Sequence, residues 1–180
     1  AYKFGITQEK AFMAGSGAGQ PLGVFTASPN GINTDRDVST GNTTTAIGAD
    51  GLINAKYALK AQYQKTARWI FHRDAISGIR KLKDKNDQYL WQPGLVGDRP
   101  DTILELPFFM SEYAPNTFTT GLYVGIIGDF SFYWIADSME FSIQVLKELY
   151  AESNQIGYIG RMECDAQPVL SEAFARVKLA

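Results

Sequence analysis

The spacing of apolar and polar residues changes character along the chain. Over residues 1–14, Phe4, Gln8, Ala11 and Phe12 fall near one another on a helical surface, and Gly15 stops the pattern. This predicts the last turns of a helix. From Gly15 to Gly51 periodicity vanishes: 25 of 37 residues are Gly, Ser, Thr, Asn, Asp or Pro, with turn signals at Gly31, Gly41 and Asn42-Thr43-Thr44-Thr45. A loop of that length is usually functional or disordered. Leu52, Ala55, Leu59 and Tyr63 then make one apolar stripe with Lys56 and Lys60 on the other side, which predicts a helix over 51–66 capped by Asp50. A short β-rich run, Arg68-Trp69-Ile70-Phe71-His72, precedes a second helix with stripe Ile76, Ile79 and Leu82, which Asp74 is expected to cap. Asn86-Asp87 breaks that helix and opens a loop holding Pro93, Gly94, Gly97 and Pro100.

Downstream the pattern is strand-like over 108–110, 122–127, 131–135, 140–146, 156–163 and 173–179. Short spacings between these runs suggest antiparallel hairpins. Helices early and strands late, with no repeating βαβ rhythm, predict an α+β fold in which a mostly antiparallel sheet is flanked by two helices. No internal repeat or heptad is present.

Composition narrows the classes. The chain has 180 residues with one Cys and one His, so it can form neither an internal disulfide nor a Cys/His zinc site. Its length suffices to bury roughly 70% of the unfolded surface in one core. No apolar run approaches the roughly 18 residues of a membrane span, and no signal-peptide pattern opens the chain, so no membrane partner is expected. The start Ala1-Tyr2-Lys3-Phe4 lacks Met and falls inside an expected helix, which reads as a fragment of a longer protein.

Charge is uneven. Residues 54–85 hold nine Lys/Arg and two Asp, a net of +7, whereas residues 86–175 hold three Lys/Arg and thirteen Asp/Glu, a net of −10. Three readings fit: solvated faces, complementary surfaces of neighbouring subunits in a head-to-tail assembly, or a nucleic-acid patch, which the surrounding acidity disfavours.

Candidate chemistry does not assemble. Gly15-Ser16-Gly17-Ala18-Gly19-Gln20-Pro21 lacks the third Gly of a dinucleotide fingerprint and the Gly-Lys-Ser/Thr of a phosphate loop, and it follows a helix where phosphate cradles precede one. A helix stop and chain reversal suits it better. A Ser-His-Asp triad would have to use His72, and no Gly-x-Ser-x-Gly elbow exists. Cys164 has no basic residue immediately beside it to lower its pKa. The Asp pairs Asp98/Asp101 and Asp35/Asp37 sit in loops, and Asp129 reads as a turn residue. No catalytic, cofactor-binding or metal-ligating residue is assigned, and no enzyme activity is expected.

Three stretches, in order and over nearly the whole chain, resemble the major capsid proteins of tailed bacteriophages, the Hong Kong 97-type shell fold. They are Glu9-x-Ala11-x-x-x-Gly15-x-Gly17-x-Gly19-Gln20-Pro21-x-Gly23, then Arg80-Lys81-Leu82-Lys83-Asp84-x-Asn86-x-x-Tyr89-Leu90-Trp91-Gln92-Pro93, then Ile103-Leu104-x-x-Pro107 with Gly128-Asp129-Phe130. Departures stand at His72-Arg73, where the family often carries Asn-Pro, and at Glu105, where it often carries Gly.

The resemblance implies a C-terminal portion that lacks the family's N-terminal arm, extended loop and much of the spine helix. It places residues 1–25 and 147–180 in the remnant of the peripheral domain, 26–49 in a flexible loop and 50–146 in the axial domain. It implies a structural subunit of an icosahedral phage or prophage head, self-assembling into hexamers and pentamers around double-stranded DNA without sequence-specific binding. Partners would be copies of itself, with portal and head-assembly proteins, in the host cytoplasm during assembly and then in the virion capsid. An encapsulin-like compartment shell remains an alternative, as does a small enzyme or ligand-binding domain. Arg80, Lys83, Tyr89, Trp91, Arg99 and Asp101 are the candidate inter-subunit residues, since exposed aromatic and Arg side chains anchor interfaces. The loop aromatics could equally fold back on their own core.

Overall fold

The computed structural model describes residues 2–90, 102–146 and 151–180. Helix α1 (Tyr2–Ala14) buries no residue. It ends at Gly15, and the chain doubles back so that the amides of Gly23, Val24 and Phe25 donate to the carbonyls of Gly15, Phe12 and Met13 at 2.9–3.0 Å. These bonds satisfy acceptors that a helix C-terminus leaves open. A Cβ on Gly23 would lie 2.6 Å from the backbone nitrogens of Ala14 and Gly15, so this reversal requires glycine there. The Gly-rich motif is a helix stop.

Residues 26–49, expected as a flexible loop, are irregular yet pinned to the body. Ile32, Asn42 and Ile47 are buried, and β1 (Asp37–Val38) pairs with a strand near the C-terminus. Asn42 is the organiser: its Nδ2 donates to the Lys178 carbonyl at 3.0 Å and its Oδ1 accepts from Gly48 N at 3.1 Å. That bond precedes α2 (Ala49–Ala58), whose N-cap is Gly48; Asp50, expected to cap, lies in the first turn instead.

The single helix expected over 51–66 is two. After α2 the chain breaks at Leu59 and Lys60 before the short α3 (Ala61–Gln64). The Gln64 side chain causes no loss at the break, because Nε2 donates back to the carbonyls of Leu59 at 2.9 Å and Lys56 at 3.3 Å. Strand β2 (Arg68–Phe71) then leads into α4 (Arg73–Arg80). Its cap is His72, whose Nδ1 accepts from Asp74 N at 3.2 Å, in place of the expected Asp74. Asp74 adds negative charge to the first turn, which favours the helix dipole. His72-Arg73 thus does what Asn-Pro does at a helix start: an acceptor at the cap, and then the first helical residue.

Strands β3 (Thr102–Ile103), β4 (Leu106–Met110), β5 (Tyr123–Gly128) and β8 (Phe174–Lys178) complete a six-stranded sheet of order β1-β8-β5-β2-β4-β3. The pairs β8–β5, β5–β2 and β4–β3 are antiparallel, whereas β1–β8 and β2–β4 are parallel. The fold is α+β, as expected. One face of the sheet packs Trp69, Phe71, Ile127 and Val177 against Leu52 and Ala55 of α2 and Ile76 and Ile79 of α4. The other packs Ile126 and Phe174 against Val24, Phe25 and Ile32. Trp69 and Phe71 stack at 5.4 Å, with Trp69 Nε1 donating to the Ile103 carbonyl at 3.1 Å. Gly125 leaves the room they need, since a Cβ there would come within 2.0 Å of the Phe71 ring.

Leu104 and Glu105 form the two-residue turn between β3 and β4, with φ of 50° and 70°. Both are in the left-handed region, where glycine is unstrained and Glu is not. Lys56 Nζ holds the turn by donating to the Leu104 carbonyl at 2.8 Å and pairing with Glu105 at 3.2 Å.

The expected strands over 131–135 and 140–146 merge into β6 (Tyr133–Leu146), preceded by a 3-10 turn at Phe130–Phe132. It pairs antiparallel with β7 (Gly157–Pro168) as a separate two-stranded ribbon, with register irregularities between Asp137 and Ser142. Bulges of this kind break the period-2 pattern that would otherwise mark one long strand. Strand β7 lies against the opening helix, where Gln8 Nε2 reaches Met162 Sδ at 3.4 Å and Cys164 Sγ at 3.5 Å. Strand β8 lies between β1 and β5 in the main sheet, where its side chains Phe174, Ala175, Arg176 and Val177 are fully buried.

Candidate inter-subunit surfaces

The residues singled out in the sequence divide by location. Arg80 ends α4 and lines a cleft beside β4. Lys83 and Tyr89 face each other across a tight turn over 82–90: they form an isolated antiparallel bridge, and Lys83 Nζ lies 5.2 Å from the Tyr89 ring centroid. Asp84 builds this turn, its Oδ1 accepting from the amides of Asn86 at 2.8 Å and Gln88 at 2.9 Å. Such side-chain-to-backbone bonding is what Asp supplies in turns. Asp87 adopts φ 66° and pairs with Lys83 at 2.9 Å. The turn leaves Tyr89 and Leu90 exposed. Trp91, Arg99 and Asp101 lie outside the described residues.

The other candidates for chemistry have structural partners. His72 is buried, with Nδ1 engaged as the α4 cap and Nε2 3.5 Å from Glu112 Oε2. Cys164 faces α1 through Gln8. Asp129 is the turn residue expected: it caps the 3-10 turn, accepting from Ser131 N at 3.0 Å and Ser131 Oγ at 2.7 Å, and from Thr66 Oγ1. Burial works to raise its pKa, and the hydrogen bonds from Thr66 and Ser131 outweigh it, so the carboxyl titrates below its ordinary value. Among the described residues no group of three His, Cys, Asp or Glu side chains could hold a metal ion, and no helix is long and apolar enough to cross a membrane.

A buried charge network escaped the sequence reading. Arg176, in the middle of β8, is fully buried and donates through Nε to Asp37 Oδ1 at 2.8 Å and through Nη2 to the Asn33 carbonyl at 3.0 Å. Tyr123 OH donates to the other Asp37 oxygen at 2.9 Å, and the Arg176 guanidinium sits 4.5 Å from the Tyr123 ring centroid. Burial, followed by the bond to Asp37, raises the Tyr123 pKa. A sequence signal existed: one Arg inside the apolar run Phe174-Ala175-Arg176-Val177 needs a buried partner. The network clamps β1, β5 and β8 together and is inaccessible to a ligand.

The ribbon β6–β7 is the other feature the sequence did not reveal. Its base is anchored: Tyr133 OH donates to the Leu22 carbonyl at 3.1 Å, Leu22 N to the Ala166 carbonyl at 2.7 Å, and Val169 N to the Phe132 carbonyl at 2.9 Å. Burial first, then the charges of Asp165 and Cys164, raise the Tyr133 pKa. Further out the ribbon is bare. Ile143, Val145 and Tyr158 lie on one face, since Val145 pairs with Tyr158 and Ile143 stands two residues away; Ile143 is 60% and Tyr158 68% exposed. Exposed apolar side chains on that scale mark interaction surfaces.

The model of the phage capsid family matches residues 1–179. The chain belongs to the phage capsid family. Among solved structures, it is similar to the capsid of the empty GTA particle computed with C5 symmetry, with a TM-score of 0.84 at 21% identity over 99% of this chain and 63% of that one. The capsid of the native GTA particle is similar to the same degree, with a TM-score of 0.83 at 22% identity over 99% and 62%. Gordonia phage Cozz follows with a TM-score of 0.62 at 14% identity over 96% and 59%. The chain therefore spans about three fifths of the length of the capsid chains it matches. No curated protein matches it by sequence. The resemblance carried by the three motifs and the capsid fold it implied are thus correct, and the His72, Cys164 and Gly-rich features fit a phage capsid protein as elements of packing.

Proposed function

We propose that this chain is part of the structural subunit of an icosahedral bacteriophage or prophage head, whose copies assemble into hexamers and pentamers around double-stranded DNA. The observation that carries the reading is the family match across nearly the whole chain. The exposed ribbon supports it, because a surface of that kind is covered only in an assembly. The work is non-enzymatic: many modest contacts, each partly offset by lost freedom, are summed over a closed symmetric shell. The mild net acidity suits a container that encloses DNA without reading its sequence. Portal and head-assembly proteins are the further partners, met in the host cytoplasm before the subunit becomes virion.

Within the subunit, residues 50–146 form the axial domain and residues 1–25 and 147–180 the remnant of the peripheral domain, as the resemblance implies. The turn over 82–90, with Arg80 and Lys83 at its basic side, makes one contact between copies, to which Trp91, Arg99 and Asp101 are also assigned. Electron microscopy of the full-length protein expressed alone tests the reading. Capsomers or closed shells are expected; soluble monomers with a measurable turnover under assembly conditions would overturn it.

A further inference from the structure

Among the described residues β6 is the one strand that pairs with β7, so the other edge of β7 is open along the ribbon. Two bonds at the base fix which residues that edge presents. Val169 N donates across the ribbon to the Phe132 carbonyl, and the Ala166 carbonyl accepts from Leu22 N on the other side. Main-chain groups alternate in direction along a strand, so the amides and carbonyls of Gly160, Met162 and Cys164 point out of the open edge. Beside it lies a groove of about 690 Å³, lined by Met162, Glu163 and Cys164 and walled by Phe4 and Gln8 of α1 and by Pro21. Proteins blunt exposed edges with Pro, Lys or bulges. Here the extra residues of the irregular pairing fall in β6, and β7 from Gly157 to Gln167 has neither Pro nor Lys.

The sequence along this edge is self-complementary. A twofold axis that pairs two copies of β7 through main-chain bonds passes between equivalent residues of the outward-pointing set. Centred on Cys164, it would set Glu163 against Asp165 of the second copy and would need the Ala166 carbonyl, which Leu22 already occupies. Centred on Gly160, it would leave Arg161 opposite Ile159. Centred on Met162, it sets Arg161 opposite Glu163 on both sides of the axis, in non-hydrogen-bonded pairs, where side chains approach most closely. Both side chains are exposed. Gly160 then exchanges main-chain bonds with Cys164, and Asp165 stands opposite Ile159, so no carboxylate directly faces another.

We propose that β7 of one copy pairs antiparallel with β7 of a second copy across a twofold axis at Met162, joining two ribbons into one four-stranded sheet. This supplies the further strands that a two-stranded ribbon needs for stability. The contact is isologous, and an icosahedral shell contains twofold axes to hold it. The inference rests on the shell reading and gives that reading a specific contact.

The test uses the full-length protein. Under mild oxidation Met162→Cys should give a dimer linked through residue 162, identified by mass spectrometry, because hydrogen-bonded pairs hold Cα atoms about 5.5 Å apart, within disulfide range. Glu163→Cys should give no such link, since its two copies stand beyond the roughly 7 Å limit on opposite sides of the axis. Arg161→Glu and Glu163→Arg should each weaken self-association by about tenfold in sedimentation, while the double variant returns to within about threefold of wild type. These charge variants should melt at the wild-type temperature, since both side chains are exposed. The pairing is wrong and the shell reading stands if wild type builds shells but Met162→Cys forms no link, as it would were a different extended segment to occupy the edge. The same holds if the single charge variants associate like wild type or the double variant does not recover. If wild type itself remains monomeric at every concentration, the shell reading fails and the pairing fails with it.

Discussion

The six-stranded sheet and the two-stranded ribbon are built from similar residues and reach opposite outcomes. In the sheet, Trp69, Phe71, Ile126, Ile127, Phe174 and Val177 are fully buried, and both faces are covered by helices or by the long irregular segment. In the ribbon, Trp134, Ile135, Ile143, Val145, Tyr158 and Ile159 are exposed. A two-stranded ribbon is marginal in water on its own. The difference teaches where each part finds its free energy: the sheet within the chain, and the ribbon at its anchored base and, beyond that, between chains.

The largest effect that would break this contrast is in the sheet. Arg176→Ala strips the buried Asp37 of its fully buried cation and leaves it only the more distant Lys178 at 3.8 Å, and loss of one member of a buried pair costs about 3–5 kcal/mol. Urea denaturation should show a loss of that size; a loss below about 1 kcal/mol would mean the network holds nothing together. Next comes Asp129→Asn, which weakens the bonds joining Thr66 to the 3-10 turn before the ribbon and should cost about 1 kcal/mol at neutral pH. Because the Asp129 pKa is depressed in the folded protein, its contribution is present above about pH 4 and disappears as the pH falls through the folded value. Wild type and variant should therefore converge in stability in acid, and a gap that stays constant down to low pH would contradict the assigned hydrogen bonds. The smallest effect belongs to the ribbon. Tyr158→Ser at its exposed end should change stability by no more than about 0.5 kcal/mol in the free protein, whereas a destabilisation like that of Arg176→Ala would place Tyr158 in the subunit's own core.

Legibility in the sequence followed the same division. Strands β2, β4, β5 and β8 and the α4 stripe were readable because burial on both sides gives short apolar runs such as Tyr123–Gly128 and a helical spacing such as Ile76, Ile79 and Leu82, whereas the two-residue strands β1 and β3 are too short to leave a pattern. The ribbon was read as separate short strands because irregular pairing between Asp137 and Ser142 interrupts the alternation. Caps were misread where a less usual residue does the work: His72, two residues before the expected Asp74, caps α4 by accepting from the Asp74 amide, and Gln64 closes α2 from beyond its end. The Arg176 network could not be assembled from local pattern, since Asp37 and Asn33 stand 139 and 143 residues away along the chain. Of the residues expected between subunits, Lys83 and Tyr89 share one exposed turn.

Amide hydrogen exchange of the full-length protein, free and assembled, tests the division of labour most directly. The account predicts that in free subunits β2, β5 and β8 exchange slowly while the outer part of β6–β7 exchanges fast, and that assembly slows the ribbon far more than the sheet. A ribbon already as protected as the sheet in free subunits, or one whose exchange assembly leaves unchanged, would contradict it.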